Sequence, residues 1–251
     1  MVAQKTTKKP APRTVRATRV AAKTTGDMGS YLRRIFGLMG AAVGVSAITA
    51  ALTIFGGGIY WFINATGTGF SALYYVILFG GLGLSIWAQA RAFSLKPTTA
   101  ILLLGLYAIL MGFAMTPLIW ATLAVNPVSI LMAFVIAAVM FACMALFGYK
   151  TVKDLSFLGT FLFIGMIGLI LVGLASLIWP LGTGFATFVC AAGVLIFALF
   201  AAYDMQSLKR AYYAVGNDTQ KNQLAVLGAL HMYISFIAMF EYILSLLNRN
   251  N

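Results

Sequence analysis

The stretch LAVLGALHMYISFIAMFEYILSLL, residues 224–247, is long and apolar enough to cross a bilayer, yet it carries a histidine, a serine and an acid. These are His231, Ser235 and Glu241, and His231 is the only histidine of the chain. A charged side chain that faces lipid costs roughly 3 kcal/mol on insertion scales. The helix is therefore predicted to lie in the centre of a bundle, shielded from lipid by the other helices.

The whole sequence has the composition of a membrane protein with several spans. Hydrophobic residues make up 62% of the 251 residues, charged residues make up 9%, and the mean hydropathy is +0.96. A soluble domain carries about 25% charged residues, so this chain could not cover a surface that faces water. We therefore predict an all-α integral membrane protein whose main partner is the lipid bilayer.

Seven apolar runs are long enough to cross a bilayer as helices of about 20 residues. The breaks between them contain helix-start prolines, Pro97 and Pro127, and the tight turn Trp179-Pro180-Leu181-Gly182. We expect six helices to surround the seventh. The predicted spans are residues 34–57, 69–90, 98–124, 128–149, 156–178, 182–203 and 224–247.

The positive charges lie almost entirely on one side of this predicted bundle. The formal net charge is +12, and 16 of the 17 Lys and Arg residues fall in the N-terminal segment or in the second, fourth and sixth connections. Only Arg249 lies at the other end. The positive-inside rule therefore predicts a cytoplasmic N-terminus and, with seven spans, a C-terminus outside.

The N-terminal segment, residues 1–29, is rich in Thr, Ala, Lys and Arg and cannot bury enough apolar surface to fold alone. We predict a disordered basic cytoplasmic tail before a membrane domain at residues 30–251. We expect a bacterial inner membrane; an organellar membrane is the alternative, because the tail is rich in Arg and Thr and poor in acids. Nucleic acid is not an expected partner, because no folded element accompanies the charge.

A second polar feature is Asp204 in the stretch FAAYDMQSLKRAYY, residues 200–213. One interpretation makes it an interfacial carboxylate beside Lys209 and Arg210. The other pairs it with Arg91, which falls at the same end of its own span. A salt bridge shielded from water would hold the two helix ends together and break when Asp204 takes up a proton.

The polar residues of the last run also have two interpretations each. His231 either bonds a backbone carbonyl or responds to pH. Ser235 follows it by four residues, shares its helix face and is typical of a helix–helix hydrogen bond. Glu241 is about 15 Å further along the axis, too far to pair with His231. It either reaches the interface or is a buried carboxyl.

Nothing in the sequence predicts an enzyme. There is no Ser or Cys beside an activating base, no metal-ligand spacing and no Gly-rich phosphate loop. Cys143 and Cys190 lie within apolar runs, where thiols act as small hydrophobic groups. We therefore predict no catalytic residue, no metal site and no cofactor.

The stretch AAYDMQSLKR at 201–210 and the stretch LGALHMYISFIAMFEYILSLL at 227–247 resemble the closing signatures of the Bax inhibitor-1 family, whose usual forms are YDTQ and ALxLYLDFINLFxxLL. YLRRIFGLMGAAVGVSAITA at 31–50 is similar to the family's first helix, and RAFSLKPTTAILLLGLYAILMGFAMTPL at 91–118 to its second-to-third helix region. The resemblance covers about residues 30–247.

The resemblance implies six helices around a central seventh and an association with a pH-sensitive calcium leak and with protection against cell death. Some bacterial members instead restrain a membrane-anchored AAA protease. In the family, the YDTQ carboxylate pairs with one in the LYLD motif as a pH sensor, and an arginine of the second helix can latch onto it. By position, Asp204 matches the first carboxylate and Arg91 is the candidate latch.

The second carboxylate of that pair is replaced in this chain, since Ser235 stands at its position; Met205 and Ala238 replace the usual Thr and Asn. Calcium prefers six to eight oxygen ligands, and Asp204 with Ser235 offers one anionic group. Two functions stay open. One is a pH-sensitive leak for calcium or another cation, gated at the cytoplasmic face by Asp204 and Arg91. The alternative is a non-transporting interaction protein that modulates a membrane protease complex or other membrane-protein quality control.

Overall fold

The computed structural model describes residues 13–64, 69–91, 96–177, 179, 182–216 and 218–249. Within them the chain is α-helical, with one short 3-10 turn at Gly58–Trp61 and a single extended bridge between Ile63 and Phe70. The predicted all-α fold is confirmed, and each predicted span overlaps one helix. The helices are α1 Arg13–Phe55, α2 Ala72–Ala90, α3 Pro97–Val125, α4 Val128–Lys150, α5 Ser156–Ser176, α6 Thr183–Ala214 and α7 Asp218–Arg249.

Six of these helices, all except α2, combine the length and the hydropathy that a membrane span needs. The apolar segment of α2, Ala72–Ala88, is shorter. A helix of its length rises about 25 Å, which lies at the lower limit for crossing the hydrocarbon core. The multi-span membrane class is therefore confirmed, whereas a crossing by α2 stays a prediction.

Helix α7 lies inside the bundle, where Ser235 is buried and His231 and Glu241 are partly buried. In its most apolar window 72% of the residues are buried, compared with 11–44% in the other five span candidates. α7 packs against α1, α3, α4 and α6, while α2 packs on α3 and α5 packs on α6. Its main neighbours are therefore four helices, and α2 and α5 lie mainly outside this layer.

Helix α1 begins at Arg13 and so includes much of the segment predicted to be disordered. Ala, Arg and Lys are good helix formers, and they extend a helix that the span itself nucleates. Residues 1–12 of the predicted tail lie outside the described residues. The predicted boundary at residue 29 coincides with no helix end, and Met28, Tyr31 and Ile35 are already buried in the core.

Helices α4 and α6 approach each other closely where small residues face one another. A Cβ atom on Gly148 would lie only 2.0 Å from the carbonyl oxygen of Ala202. Ala145 on α4 and Ala198 on α6 are buried in the same core. This contact fixes α6, and with it Asp204, against the bundle.

The connection between α4 and α5 is held against the end of α6 by polar contacts. Asp154 Oδ1 accepts hydrogen bonds from the Ser156 backbone N–H over 2.9 Å and from Arg210 Nη1 over 2.7 Å. Gln206 Oε1 accepts a further bond from the Leu155 N–H over 2.9 Å. The start of α5 is thus positioned by residues on the last two turns of α6.

These contacts make a pH-dependent contribution to stability. Hydrogen bonds from Ser156, followed by Arg210, lower the pKa of the Asp154 carboxyl from 3.8 to about 2. Because the folded-state pKa is lowered, the stabilisation is complete above about pH 4 and is lost as the pH falls toward 2. We expect Asp154→Asn to lower the thermal unfolding temperature slightly at pH 7, and the difference to shrink below pH 4, in detergent solution. A difference that is the same at both pH values would contradict this assignment.

Candidate functional site

The carboxyl group of Asp204 on α6 meets two polar side chains of α7. Ser235 Oγ donates a hydrogen bond to Asp204 Oδ2 over 3.2 Å, and His231 Nδ1 lies 3.9 Å from Asp204 Oδ1. Asp204 is 8% exposed and Ser235 is 3% exposed. His231 and Ser235, which are four residues apart on α7, therefore both face the carboxylate of Asp204 on α6.

Apolar neighbours surround the carboxyl group of Asp204, while the His231 side chain is partly exposed. Ala201 and Met205, on either side of Asp204 along α6, are buried, and so are Leu230 and Phe236 beside the two polar residues of α7. In such surroundings the effective dielectric constant is low and electrostatic contacts are stronger than in water. The charge of Asp204 therefore depends strongly on the two side chains that face it.

His231 has an unusual hydrogen-bonding environment. Its Nδ1 atom is turned toward Asp204, while its buried Nε2 atom has no hydrogen-bond partner in the described part of the chain. A buried ring nitrogen without a partner is destabilising. The expected alternative, a histidine that bonds a backbone carbonyl, is not seen for this nitrogen among the described residues.

The interfacial interpretation of Asp204 does not fit its surroundings. The two cations beside it are engaged elsewhere: Lys209 Nζ donates to the Tyr149 carbonyl over 2.9 Å and Arg210 pairs with Asp154. Asp204 itself is buried. It is a carboxylate inside the bundle rather than an exposed end cap.

Arg91, the predicted latch, follows the end of α2 and has an exposed side chain. α2 packs on α3, whereas the side chains that contact Asp204 among the described residues are His231 and Ser235 of α7. The pairing of Arg91 with Asp204 therefore stays a prediction. In this structure His231 is the titratable partner.

Glu241 lies further along α7 and does not join this site. Among the described residues it makes no hydrogen bond and no ion pair. Its side chain is partly buried, and both interpretations of Glu241, the interfacial carboxyl and the buried carboxyl, stay predictions.

A hydrogen-bonded pair between α1 and α7 was missed by sequence reasoning. Tyr233 is fully buried, and its hydroxyl lies 2.5 Å from Ser46 Oγ, which can donate onward to the Ala108 carbonyl over 2.8 Å. The ring of Tyr107 packs edge-on against Tyr233 at 5.8 Å between centroids. The available signal was the polar tip of Tyr233 in an apolar run, two residues after His231.

The sequence from residue 28 to 251 matches the family model described as Inhibitor of apoptosis-promoting Bax1. The chain belongs to the Bax inhibitor-1 family. This confirms the resemblance of its closing motifs, including the segment around Asp204. Among the described residues, this family member has no group of three or more His, Cys, Asp or Glu side chains that could hold a metal ion.

Bacterial relatives cover most of this Bax inhibitor-1 family chain. An uncharacterized protein of Rickettsia prowazekii is 30% identical over 86% of this chain and 88% of its own length. An uncharacterized protein of Caulobacter vibrioides is 36% identical over 72% of both chains. The inner membrane protein YbhL of Escherichia coli is 31% identical over 67% of this chain and 71% of its own.

The site combines one carboxylate, one imidazole and one hydroxyl between two helices. The carboxylate and the imidazole can take up and release protons, and the hydroxyl can donate a hydrogen bond to the carboxylate. One anionic group is too few for a resident calcium ion, which prefers several carboxylate and carbonyl oxygens. The arrangement is suited to a protonation-dependent contact between α6 and α7.

Proposed function

We propose that this protein is a pH-sensitive cation leak of a bacterial inner membrane, gated where Asp204 meets His231 and Ser235. The observation that carries the proposal is the burial of the Asp204 carboxylate, with the hydroxyl at 3.2 Å and the imidazole at 3.9 Å. In a site of low dielectric constant, protonation of the carboxylate changes the attraction between the two helices. α6 then holds α7 less firmly.

Seven crossings with the basic end in the cytoplasm fit this function. Arg33 lies near the start of the membrane-span segment of α1, and Lys150 and Arg210 lie near the ends of α4 and α6. All three are exposed at the end of the bundle where Asp204 lies. Cations of short connections favour the cytoplasmic side. The gate would then face the cytoplasm, and the similarity to the Escherichia coli inner membrane protein YbhL supports an inner membrane.

A small cavity beside the gate provides a route for opening. It has a volume of about 20 Å³ and lies between α2, α3 and α7, with Gln223 and Leu230 in its lining. Leu230 directly precedes His231. When Asp204 is ionised, its contacts hold α7 against α6 and the cavity stays small. When Asp204 takes up a proton, the attraction to the imidazole is lost and α7 can move, which enlarges the cavity.

The proposal predicts a leak that increases as the pH falls. Because the gate opens when Asp204 takes up a proton, we expect potassium and calcium flux through proteoliposomes to be larger in acid than at neutral pH. Asp204→Asn, which resembles the protonated form, should leak at every pH, and His231→Gln should weaken the pH response. The double variant should match Asp204→Asn. Both substitutions remove the same contact, so their effects on the flux should not add.

Asp154→Asn is the matched control, since it removes an exposed carboxylate at the same end of the bundle. It should keep the wild-type pH response. An unchanged response in both Asp204→Asn and His231→Gln would overturn the gate. No flux from the wild-type protein at any pH would overturn the leak itself and leave the non-transporting interaction role as the function to test.

A further inference from the structure

An apolar groove runs between α1 and α4 on the outside of the bundle. Its volume is about 700 Å³, which lies within the range of roughly 300–1,000 Å³ found for ligand pockets. It extends from Leu32 to Val43 on α1 and from Tyr149 to Phe134 on α4, and its floor is formed by Met205 and Phe236.

The groove opens toward the membrane rather than toward water. Phe36 of α1 and Leu146 of α4 line it and are 37% and 56% exposed, and both helices are span candidates. Its lining side chains are mostly apolar and do not supply the polar partners that an ordered water needs. In a bilayer it must therefore be filled by an apolar group that enters from the lipid.

The length of the groove matches one leaflet. Leu32 and Val43 are 11 residues apart in a helix, which corresponds to about 16 Å along its axis. Half of a hydrocarbon core of about 30 Å is 15 Å. The groove thus extends from the basic end of the bundle to about the middle of the membrane, as far as one acyl chain reaches.

Positive charge lies at the basic end of the groove. Arg33 and Lys150 are exposed there, next in sequence to the lining residues Leu32 and Tyr149. Arg33 precedes Phe36 by three residues and therefore shares its helix face. Lys209 Nζ lies 4.8 Å from the centre of the Tyr149 ring. An apolar tail in the groove would thus have its head group beside several cations.

We propose that this groove binds an anionic phospholipid from the leaflet at the basic end, with one acyl chain between α1 and α4 and the phosphate beside Arg33 and Lys150. Tight binding of a zwitterionic lipid is not expected, because these cations favour a net negative head group. Arg34, the next residue, instead donates to Asn222 Oδ1 over 2.6 Å. Of these two arginines, only Arg33 is therefore expected to contact the head group of the bound lipid.

The test measures the lipid that stays bound to the purified protein. The protein is extracted from vesicles of equal parts phosphatidylglycerol and phosphatidylcholine, and native mass spectrometry counts the lipids retained. Wild-type protein should retain one phosphatidylglycerol in preference to phosphatidylcholine. Gly40→Leu should reduce retention about tenfold, the effect of excluding about two methylene groups from the groove.

Matched variants separate the groove from its surroundings. A Cβ atom at Gly40 or at Gly37 meets nothing within 4 Å, so both positions have room for the first atom of a side chain, but only Gly40 lines the groove. Gly37→Leu should retain lipid as the wild type does. Arg33→Gln should remove the preference for phosphatidylglycerol, whereas Arg34→Gln should keep it.

Three outcomes would overturn the proposal. The first is equal retention in Gly40→Leu and Gly37→Leu, with both variants monodisperse and helical. The second is a wild-type protein that does not distinguish the two lipids. The third is a wild-type dimer that Gly40→Leu dissociates, which would make a second copy of the chain the occupant of the groove.

Discussion

Gly148→Ala is expected to destabilise the helical bundle by about 3 kcal/mol or more, because the added methyl group has no room. Its carbon would lie 2.0 Å from the carbonyl oxygen and 2.7 Å from the carbonyl carbon of Ala202. Both are backbone atoms, so no side chain can rotate away. α4 and α6 must move apart, which also loosens the core around Ala145 and Ala201, both buried.

The measurement is thermal unfolding in detergent, followed by helix content, with the yield of monodisperse protein as a second readout. Gly37→Ala is the control, since its methyl group meets nothing within 4 Å and alanine has the higher helix propensity. Gly193→Ala should fall between the two, because it meets the Tyr242 ring, which can shift. Equal stability of Gly148→Ala and Gly37→Ala would show that α4 and α6 are not in close contact.

The helices could be predicted from the sequence because long apolar runs and cation placement are strong signals. The ends of the helices could not be predicted in this way. The sixth predicted span ends at residue 203, but α6 continues to Ala214, and α7 begins at Asp218 rather than at residue 224. Hydropathy reports the part of a helix that lies in lipid. The polar turns beyond it remain helical because Lys, Arg and Gln are good helix formers.

The candidate site was predictable within each helix and less so between helices. Spacing places His231 and Ser235 on one face, and the burial of α7 follows from its polar residues. The side chain of another helix that meets this face is decided by how the helices pack. That packing cannot be derived from one sequence. The family motif pointed to position 235 as the partner of Asp204, whereas the contact with His231 required the structure.

The number of helices that pack directly around α7 also could not be predicted from the sequence. Polarity predicted a central seventh helix, but it does not distinguish a first layer of six helices from one of four. α5 is among the most apolar helices, and only 11% of its window is buried, so it mainly faces lipid. A helix that is apolar on every side gives no signal for the face that packs.

Ser235→Asp is expected to increase the calcium flux of the protein relative to its potassium flux about tenfold. Ser235 Oγ lies 3.2 Å from Asp204 Oδ2, so an aspartate here would bring two carboxylates into contact in a buried site. Two such groups are both ionised at low cost only when a cation lies between them; otherwise they share a proton. Calcium accepts carboxylate oxygens from both and carries two positive charges.

The flux ratio should be measured in proteoliposomes at pH 7, with Ser235→Asn as the control, because asparagine has nearly the same shape without the charge. Ser235→Asn should keep the wild-type ratio. In Ser235→Asp the gain should disappear in acid, where a proton replaces the cation between the two carboxylates. Equal ratios in the two variants would place the permeating ion away from Asp204 and limit this carboxylate to control of the contact between α6 and α7.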